Sequence, residues 1–354
     1  MCHRFHVREV SYPLYGFEIN PDEITYVGEG LQRPECILAE RDGSLWAADA
    51  RGGVMHIHPD GKQDIITQKR TDEGDINKGD VNRFFEGTLP NGLAFARNGD
   101  ILISNFGTDC LELMDRRTGE TKVLFDTVDG SPIGKVNFVL RDSKDRMWIT
   151  VTTKLKSWLP ALVPDLDDGY IIRYDHRGAH IVADHLHFTN EVRFDAKEEY
   201  LYAVETTGVN GGHILRWRVD ENGDLHNRET YSPNQMGTGA FPDGIAFDAY
   251  GNLWGTMVYS DKIWVIDPDG DYKILYDGGD PAKVKALDDA FYESRVTNEI
   301  LFATGQGIAP WIASVCFGGP NRDTVYVGSL RATNIPSFKV PVQGLPMVHW
   351  YDKY

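Results

Sequence analysis

The sequence predicts an all-β protein, a six-bladed β-propeller with four-stranded antiparallel blades, and three observations lead to this prediction. A polar turn followed by an apolar strand recurs six times along the 354 residues. Glycine is plentiful (36 residues) and aromatic residues make up 11% of the chain, which favours many short strands joined by turns. Three further strand-like runs usually accompany each copy, so that each unit supplies four strands.

The six copies of the turn and strand show the period-two alternation of β-strands. They are RDGSLWAAD (41–49), RNGDILISN (97–105), DSKDRMWIT (142–150), AKEEYLYAV (196–204), AYGNLWGTM (249–257) and NRDTVYVGS (321–329). We therefore predict a single propeller domain over residues 1–354. A β-sandwich or a pair of small barrels is the alternative, but neither requires six equivalent units.

The repeat also sets the expected limits of the blades. In chain order the predicted blades are 34–67, 90–126, 134–184, 189–231, 242–277 and 311–345. The strand-like segment 23–30 is expected to close the last blade and remove an exposed sheet edge. Two insertions, 153–169 and 278–310, interrupt the repeat. The first is apolar and proline-rich, and it is expected either to cover a site or to pack on its own blade.

Composition and charge exclude several classes of function. The net charge of −17 disfavours a nucleic-acid partner, because phosphate contacts require Lys and Arg. The four cysteines, Cys2, Cys36, Cys110 and Cys316, form no CxxC pair, which argues against a zinc cluster or a disulfide framework. The chain has no apolar run long enough for a membrane helix and no signal-peptide pattern at residue 1. We expect a cytoplasmic protein without a membrane partner, and the sequence does not indicate its oligomeric state.

Five of the six first strands open on a side chain that carries an oxygen atom. These residues are Glu35, Asn91, Asn137, Asn190 and Asp243, and the sixth unit has Ala313 or Ser314 at this place. In the first, second, third and fifth units this residue stands eleven positions before a second-strand residue, which is Trp46, Leu102, Trp148 or Trp254. In the fourth unit the spacing, from Asn190 to Tyr202, is twelve. Because the first strand of a propeller blade lines the central channel, equivalent positions form a ring around the axis.

Such a ring is expected to hold a divalent cation. Buried carboxylates repel one another and buried amides need partners, whereas a cation on the axis satisfies both. Calcium takes carboxylate and amide oxygens, and the charges of Glu35 and Asp243 balance it. The ring contains no His or Cys, which disfavours a structural zinc site. Two other interpretations stay open: the side chains cap local turns, or a metal only pins the ring.

At this point the sequence resembles the family of senescence marker protein, gluconolactonase and luciferin-regenerating enzyme. The resemblance rests on RPECILAERDGSLWAAD, GKVNFVLRDSKDRMWIT, FTNEVRFDAKEEYLYAV, FPDGIAFDAYGNLWGT and SVCFGGPNRDTVYVGS, across roughly residues 25–335. It implies a six-bladed propeller that hydrolyses lactones or related cyclic esters with one divalent metal on its axis. The implied metal ligands are Glu35, Asn137, Asn190 and Asp243. Calcium is the expected ion, with magnesium, manganese and zinc as alternatives.

The chain departs from the family where substrate is expected to bind. A sugar-lactone-hydrolysing relative has Arg and Asp beside the third-blade asparagine, where this chain has Lys135 and Phe138, which favours a more apolar lactone or ester. The extra ring residue Asn91 is expected to touch water or substrate. By register at the ends of the inner strands, four further residues are candidates for substrate contact. The full set of predicted substrate-binding residues is Asn91, Asn105, Lys135, Thr152, Glu205 and Tyr259.

The hypothesis for the reaction is metal-assisted hydrolysis, in which a metal-activated water attacks the ester and Asp243 transfers the proton. No GxSxG elbow is present, which disfavours a Ser-His-Asp mechanism. Three alternatives stay open: a metal-dependent lyase or isomerase of a secondary pathway, a strictosidine-synthase-like propeller, and a non-enzymatic interaction propeller that calcium stabilises. Fold and metal together do not fix the chemistry.

Overall fold

Within the described residues, six sheets of four antiparallel strands, one of them extended by a short parallel strand, follow one another along the chain, which confirms the predicted six-bladed β-propeller. A computed structural model describes residues 13–70 and 87–354, so Cys2 lies outside the described residues. The strands of each blade follow one another from the axis outward. Within a blade, strands that follow one another in the chain are therefore neighbours in the sheet, and the first strand is innermost.

The first three blades contain strands β2 to β16. Blade 1 has β2 (Ile37–Ala39), β3 (Leu45–Asp49), β4 (Gly53–Ile57) and β5 (Gln63–Thr67). Blade 2 has β7 (Pro90–Phe95), β8 (Ile101–Asn105), β9 (Cys110–Met114) and β10 (Glu120–Phe125), and β6 (Lys69–Arg70) adds a short parallel strand to β10. A hairpin of β11 (Thr127–Val128) and β12 (Ser131–Pro132) follows. Blade 3 has β13 (Val136–Arg141), β14 (Met147–Val151), β15 (Gly169–Asp175) and β16 (Gly178–Leu186).

The remaining blades contain strands β17 to β27. Blade 4 has β17 (Thr189–Phe194), β18 (Tyr200–Glu205), β19 (His213–Val219) and β20 (Leu225–Thr230). Blade 5 has β21 (Pro242–Phe247), β22 (Leu253–Met257), β23 (Lys262–Ile266) and β24 (Tyr272–Asp277). Blade 6 has β25 (Ile312–Gly318), β26 (Thr324–Ser329) and β27 (Ile335–Lys339).

The outermost strand of blade 6 comes from the other end of the described chain. Strand β1 (Thr25–Val27) pairs antiparallel with β27, with Thr25 opposite Ser337. The two hydroxyls of this pair are 2.9 Å apart. This pairing joins the first and last described strands in one sheet, so the ring of blades closes and β27 is not left as an exposed edge.

A buried acid at the end of the first strand explains the recurring Trp of the repeat. Asp248 accepts a 2.9 Å hydrogen bond from Trp254 Nε1 and also accepts the turn amides of Tyr250 and Asn252. In blade 3, Asp142 accepts Trp148 Nε1 at 2.9 Å in the same way. The carboxylate therefore caps the turn and satisfies the indole N–H six residues later, as a buried polar group requires.

Aromatic rings of the second strands join neighbouring blades. Each ring meets a Phe from the first strand of the next blade, edge to face, a favourable geometry for aromatic pairs. The pairs, with their ring-centroid distances, are Trp46–Phe95 at 6.1 Å, Trp148–Phe194 at 5.3 Å, Tyr202–Phe247 at 4.9 Å and Trp254–Phe317 at 5.5 Å. The repeat thus supplies both the strands of a blade and its contact with the next one.

Two segments stand outside the four-stranded pattern. The connection between β14 and β15 contains a short 3-10 helix, Leu159–Ala161. The connection between β24 and β25 contains α1 (Pro281–Tyr292) and α2 (Asn298–Phe302). Both segments contribute buried residues to one apolar cluster, including Leu162 from the first and Phe291 from the second. Within residues 13–70 and 87–354, no helix has the length and apolar character needed to cross a membrane.

Candidate active site

The first strands are bulged where the ring residues lie. The register between first and second strands shifts at the head of blades 2 to 6. Each shift contains the ring position of its blade: Asn91, Asn137, Asn190, Asp243 or Ala313. A β-bulge leaves a residue unpaired and re-aims its side chain, often next to an active site. The bulges therefore turn the ring side chains away from the sheets and toward the axis.

The turned side chains meet in one cavity, whose empty volume of about 510 Å³ includes the space open to solvent. The five predicted ring residues all line it, and each is at most 5% exposed: Glu35, Asn91, Asn137, Asn190 and Asp243. Gly244 follows Asp243 because the blades approach closely there: a Cβ atom would lie 2.4 Å from the Ala313 carbonyl oxygen. The structure thus brings the predicted ring together in a buried pocket.

Threonines from the inner strands fix the orientation of two ring amides. Asn137 Nδ2 donates to Thr152 Oγ1 at 3.1 Å, and this hydroxyl donates to a backbone carbonyl of the next blade. Asn190 Nδ2 donates to Thr206 Oγ1 at 3.2 Å in an equivalent arrangement. Because each amide NH₂ group bonds to a threonine, the amide oxygens are left as acceptors: Asn137 Oδ1 accepts a 3.3 Å hydrogen bond from Asn91 Nδ2, whereas Asn190 Oδ1 accepts none.

Three buried oxygens of the ring accept no hydrogen bond within the described part of the chain: Glu35 Oε2, Asn190 Oδ1 and Asp243 Oδ1. Burying an acceptor without a partner is costly, and more so for a carboxylate. A hard divalent cation takes carboxylate and amide oxygens, so these residues fit such an ion. Among the described residues, no three or more His, Cys, Asp and Glu side chains form a metal-holding group, so a site here depends on the asparagines.

The electrostatics of the cavity also favour a bound cation. Burial raises the pKa of Glu35 to about 8, although the positive charge of Arg33 opposes the shift. Burial, followed by the charges of Glu35 and Glu191, raises the pKa of Asp243 well above its ordinary value. Both shifts report the cost of placing negative charges together in a low-dielectric space. A positive ion between the carboxylates would offset this cost.

Glu191 is a buried carboxylate that the sequence reasoning missed. Its Oε2 accepts a 3.2 Å hydrogen bond from the backbone N–H of Ile245 and lies 3.0 Å from Arg193 Nη2. Ile245 stands two residues after Asp243 and is the first paired residue after the bulge of blade 5. Glu191 therefore holds the backbone that carries Asp243. A charged residue within an otherwise apolar inner strand was the available signal.

Two of the predicted substrate-binding residues line the cavity, and four do not. Asn91 and Tyr259 are in its wall. Lys135 Nζ instead lies 2.8 Å from Asp109 Oδ1 and donates to the Phe106 carbonyl. Its charge is therefore engaged in an ion pair and it is not in the cavity wall, and substrate contact by Lys135 stays a prediction.

Asn105, Thr152 and Glu205 are also buried and lie outside the cavity wall, and substrate contact stays a prediction for them as well. Asn105 Oδ1 accepts the backbone N–H of Leu89 at 2.9 Å, and it shapes the turn after β8 because it also accepts the backbone N–H groups of Gly107 and Thr108, each at 3.2 Å. Thr152 supports the Asn137 amide, as described above. Register places all three near the upper ends of the strands, but their side chains point between strands rather than toward the axis.

Glu205 forms a polar cluster with two histidines on blade 4. Its Oε1 accepts the backbone N–H of His187 at 2.7 Å, its Oε2 lies 2.7 Å from His213 Nε2, and Arg228 Nη2 lies 3.6 Å from Oε1. Burial alone would raise the pKa of Glu205, but the hydrogen bonds from His187 and His213 outweigh it and lower the pKa to about 2. The hydrogen bond to Glu205 raises the pKa of His187 above 6.5.

These opposite shifts predict a pH-dependent stability. The Glu205 contribution is present above the ordinary pKa of 4.5 and is lost as the pH falls toward about 2. The His187 contribution is present below 6.5 and is lost as the pH rises through its raised pKa. Thermal melting at about pH 5.5 and about pH 8.5 should show a wild-type loss at the higher pH that Glu205→Gln diminishes. The exposed Glu229→Gln on the same blade should keep the wild-type loss, and equal losses in all three proteins would contradict the assignment.

The wall above the ring is largely apolar, and most of it escaped the sequence reasoning. Its apolar members are Phe106, Trp158, Phe188, Val258, Tyr259, Trp311 and Leu330. A repeat signal could have found part of this set. Phe106, Val258 and Leu330 each stand directly after the second strand of their blades, as Thr206 does in blade 4. Trp158 comes from the segment between β14 and β15, which therefore covers the site.

Arg33 is a further wall residue that sequence reasoning missed. Its Nη2 donates to Asn91 Oδ1 at 2.6 Å, and its Nη1 donates to the Pro90 carbonyl at 3.3 Å. Its φ angle of 56° is in the left-handed region, which non-glycine residues rarely adopt. Strained backbone of this kind clusters at functional sites. The guanidinium also places a positive charge beside the two ring carboxylates.

Comparisons with known proteins agree with this architecture. A 6-deoxy-6-sulfogluconolactonase from Pseudomonas putida is 27% identical over 177 residues, which cover 49% of this chain and 48% of that protein. The chain thus matches about half the length of this curated relative.

Solved structures of several propellers superpose over most of the chain. A gluconolactonase from Xanthomonas campestris aligns with a TM-score of 0.63 and 16% identity over 90% of this chain and 89% of that one. A calcium-binding regucalcin from Agrobacterium tumefaciens aligns with a TM-score of 0.61 and 16% identity over 90% and 95% of the two chains. At such identities the likeness shows the fold alone. Residues 33–277 match the SMP-30/Gluconolactonase/LRE-like region, and because this match covers more than half of the chain, the protein belongs to that family.

Proposed function

We propose that the protein is a divalent-metal-dependent hydrolase that opens a lactone or a related cyclic ester. The observation that carries the proposal is the set of three unpartnered oxygens, Glu35 Oε2, Asn190 Oδ1 and Asp243 Oδ1, in one buried cavity. Family membership and the names of the relatives, two of which are lactonases and one a calcium-binding protein, support it. Calcium is the proposed ion, with Glu35, Asn137, Asn190 and Asp243 as its holders.

The chemistry assigned to the protein residues follows from their positions. A divalent cation bound by the ring would supply electrostatic stabilisation to the negative charge that develops on the ester oxygens. Water adds to the carbonyl carbon, the ring C–O bond breaks, and the product is an open hydroxy acid. Asp243 takes the proton from the water and returns it to the leaving alkoxide. Glu191 and Thr206 keep the backbone of blade 5 and the Asn190 amide in place during these transfers.

The test is a panel of lactones and linear esters, assayed with chelator-stripped protein and after addition of calcium, magnesium, manganese or zinc. We expect at least one lactone to be hydrolysed with a divalent cation and to be left intact after chelation. One oxygen-18 atom from labelled water should appear in the hydroxy acid. An unsaturated product without the label would indicate the lyase alternative. If no lactone is hydrolysed with any of the cations, the hydrolase proposal is wrong.

A further inference from the structure

We propose that the substrate is a lactone with an apolar alkyl or aryl substituent, held between Trp158 and Trp311 above the ring. The inference rests on the proposed function and names the substrate class for the same cavity. Above the ring the cavity has seven apolar or aromatic wall residues, and the insertions supply or support several of them. A substituent in this space would remove apolar surface from water on both sides.

The aromatic wall is held rigidly in place. Trp311 meets Tyr259 at a ring-centroid distance of 5.4 Å, edge to face, and Phe302 of α2 packs on its other side at 4.7 Å. Trp311 has a φ angle of 58°, and Asp261 Oδ1 accepts its backbone N–H at 2.8 Å. A bulky residue keeps such a conformation only when its surroundings enforce it.

The other side of the cavity is built in a similar way. Trp158 and Phe188 pack edge to face, with their ring planes 82° apart and their ring centroids 6.5 Å apart. Phe188 has a φ angle of 48° and so is also in the left-handed region. The cavity therefore has two fixed aromatic sides, one from the β14–β15 segment with blade 4 and one next to the helical segment.

Two polar side chains of the wall, Asn91 and Thr206, are already engaged in hydrogen bonds within the protein. Asn91 accepts from Arg33 and donates to the Asn137 carbonyl at 3.0 Å. Thr206 accepts from the Asn190 amide and donates to the Pro242 carbonyl at 2.7 Å. Apart from the ring oxygens assigned to the cation and the Tyr259 hydroxyl, the wall offers few groups to bond the several hydroxyl groups of a polyhydroxylated lactone, and unpaired buried hydroxyls are costly. An alkyl or aryl group meets no such cost.

A series of γ-alkyl-γ-butyrolactones, compared with D-glucono-δ-lactone, measures this preference. Each added methylene should raise kcat/KM by about fourfold until the cavity is filled. In parallel, calorimetry with the matching γ-alkyl lactams, which lack the scissile ester, should show affinity rising with chain length. Faster turnover of D-glucono-δ-lactone than of every alkyl lactone, or a flat series in both measurements, would overturn the inference.

Variants of Trp158 test whether this part of the cavity wall contacts the alkyl or aryl substituent of the lactone. Trp158→Ala should lower kcat/KM for the longest lactone by about tenfold or more and leave the shortest nearly unchanged. Trp158→Phe should recover most of the loss. Leu155→Ala is the control, because Leu155 lies in the same segment but is 39% exposed and outside the cavity wall. An equal loss for short and long lactones in Trp158→Ala would contradict the assignment of this residue.

The two proposals fail in different ways. If no lactone is hydrolysed with any cation but lactam affinity still rises with chain length, the hydrolase proposal is wrong and the apolar binding site is supported. If the sugar lactone is hydrolysed best, hydrolysis is supported and the apolar preference is wrong. Circular dichroism and thermal melting of each variant show whether a loss reflects the site or the fold.

Discussion

Replacing Asp243 by asparagine is expected to lower kcat/KM for lactone hydrolysis by about 10²–10⁴-fold, the usual contribution of a positioned acid–base group. The variant keeps the size and an oxygen of the side chain but removes its ability to take a proton. Asp243 is 4% exposed and lies in the bulge of β21, so a neutral amide should be accommodated in the folded state. Initial rates at saturating calcium, with melting temperature measured alongside, check the prediction.

Asp248→Asn is the matched control for this variant. Asp248 is also buried and stands five residues further on, but it accepts the indole of Trp254 and the amides of the turn. Its replacement should lower the melting temperature because it weakens those bonds, and it should leave kcat/KM of the folded enzyme close to the wild-type value. Wild-type turnover by folded Asp243→Asn would show that Asp243 is no proton carrier.

Removal of divalent cations is expected to have the second large effect, on stability. The unpartnered ring oxygens and the raised pKa of Glu35 indicate that the metal-free ring is costly to bury. Calcium at 100 times its dissociation constant should add about 2.7 kcal/mol to the free energy of unfolding. Thermal melting of chelator-stripped protein during a calcium titration measures this gain, and calorimetry gives the affinity.

Glu35→Gln should weaken calcium binding by at least about tenfold, because it removes one of the two compensating charges. Glu40→Gln is the control from the same blade, since Glu40 pairs with Arg116 and accepts the Trp46 indole far from the ring. Glu35→Gln should therefore lose calcium-dependent stabilisation, whereas Glu40→Gln should keep it. Equal calcium affinity in Glu35→Gln and wild type would exclude Glu35 as a ligand.

Much of the fold could be predicted because a local pattern of turn and strand residues repeats along the chain. Six turn-and-strand units predict the blades, and in five of them a spacing of eleven or twelve residues between the ring residue and the second strand predicts the ring. The observed register agrees, since Leu140 pairs with Trp148 and Ala246 with Trp254, three residues after the ring positions Asn137 and Asp243. Because the spacing is equivalent in these units, their ring residues lie at the same depth in the central channel.

Side-chain direction beyond the ring could not be predicted in this way. Asn105 and Thr152 stand at the expected height but point between strands, where they bond backbone and neighbouring side chains. A register argument gives the height of a residue, whereas the twist and bulges of each strand decide whether it faces the cavity. The same limit applies to Lys135, which pairs with Asp109 and is not in the cavity wall.

By itself the sequence determined the blade count, the ring of Glu35, Asn91, Asn137, Asn190 and Asp243, and the family, because each depends on residues close together in the chain or on a repeated spacing. Only the tertiary structure decided which ring oxygens lack a partner, how Glu191 holds the strand of Asp243, and that Trp158 and Trp311 enclose one apolar space. Those features join blades and insertions that are distant in sequence, and packing between them, rather than any local pattern, fixes their geometry.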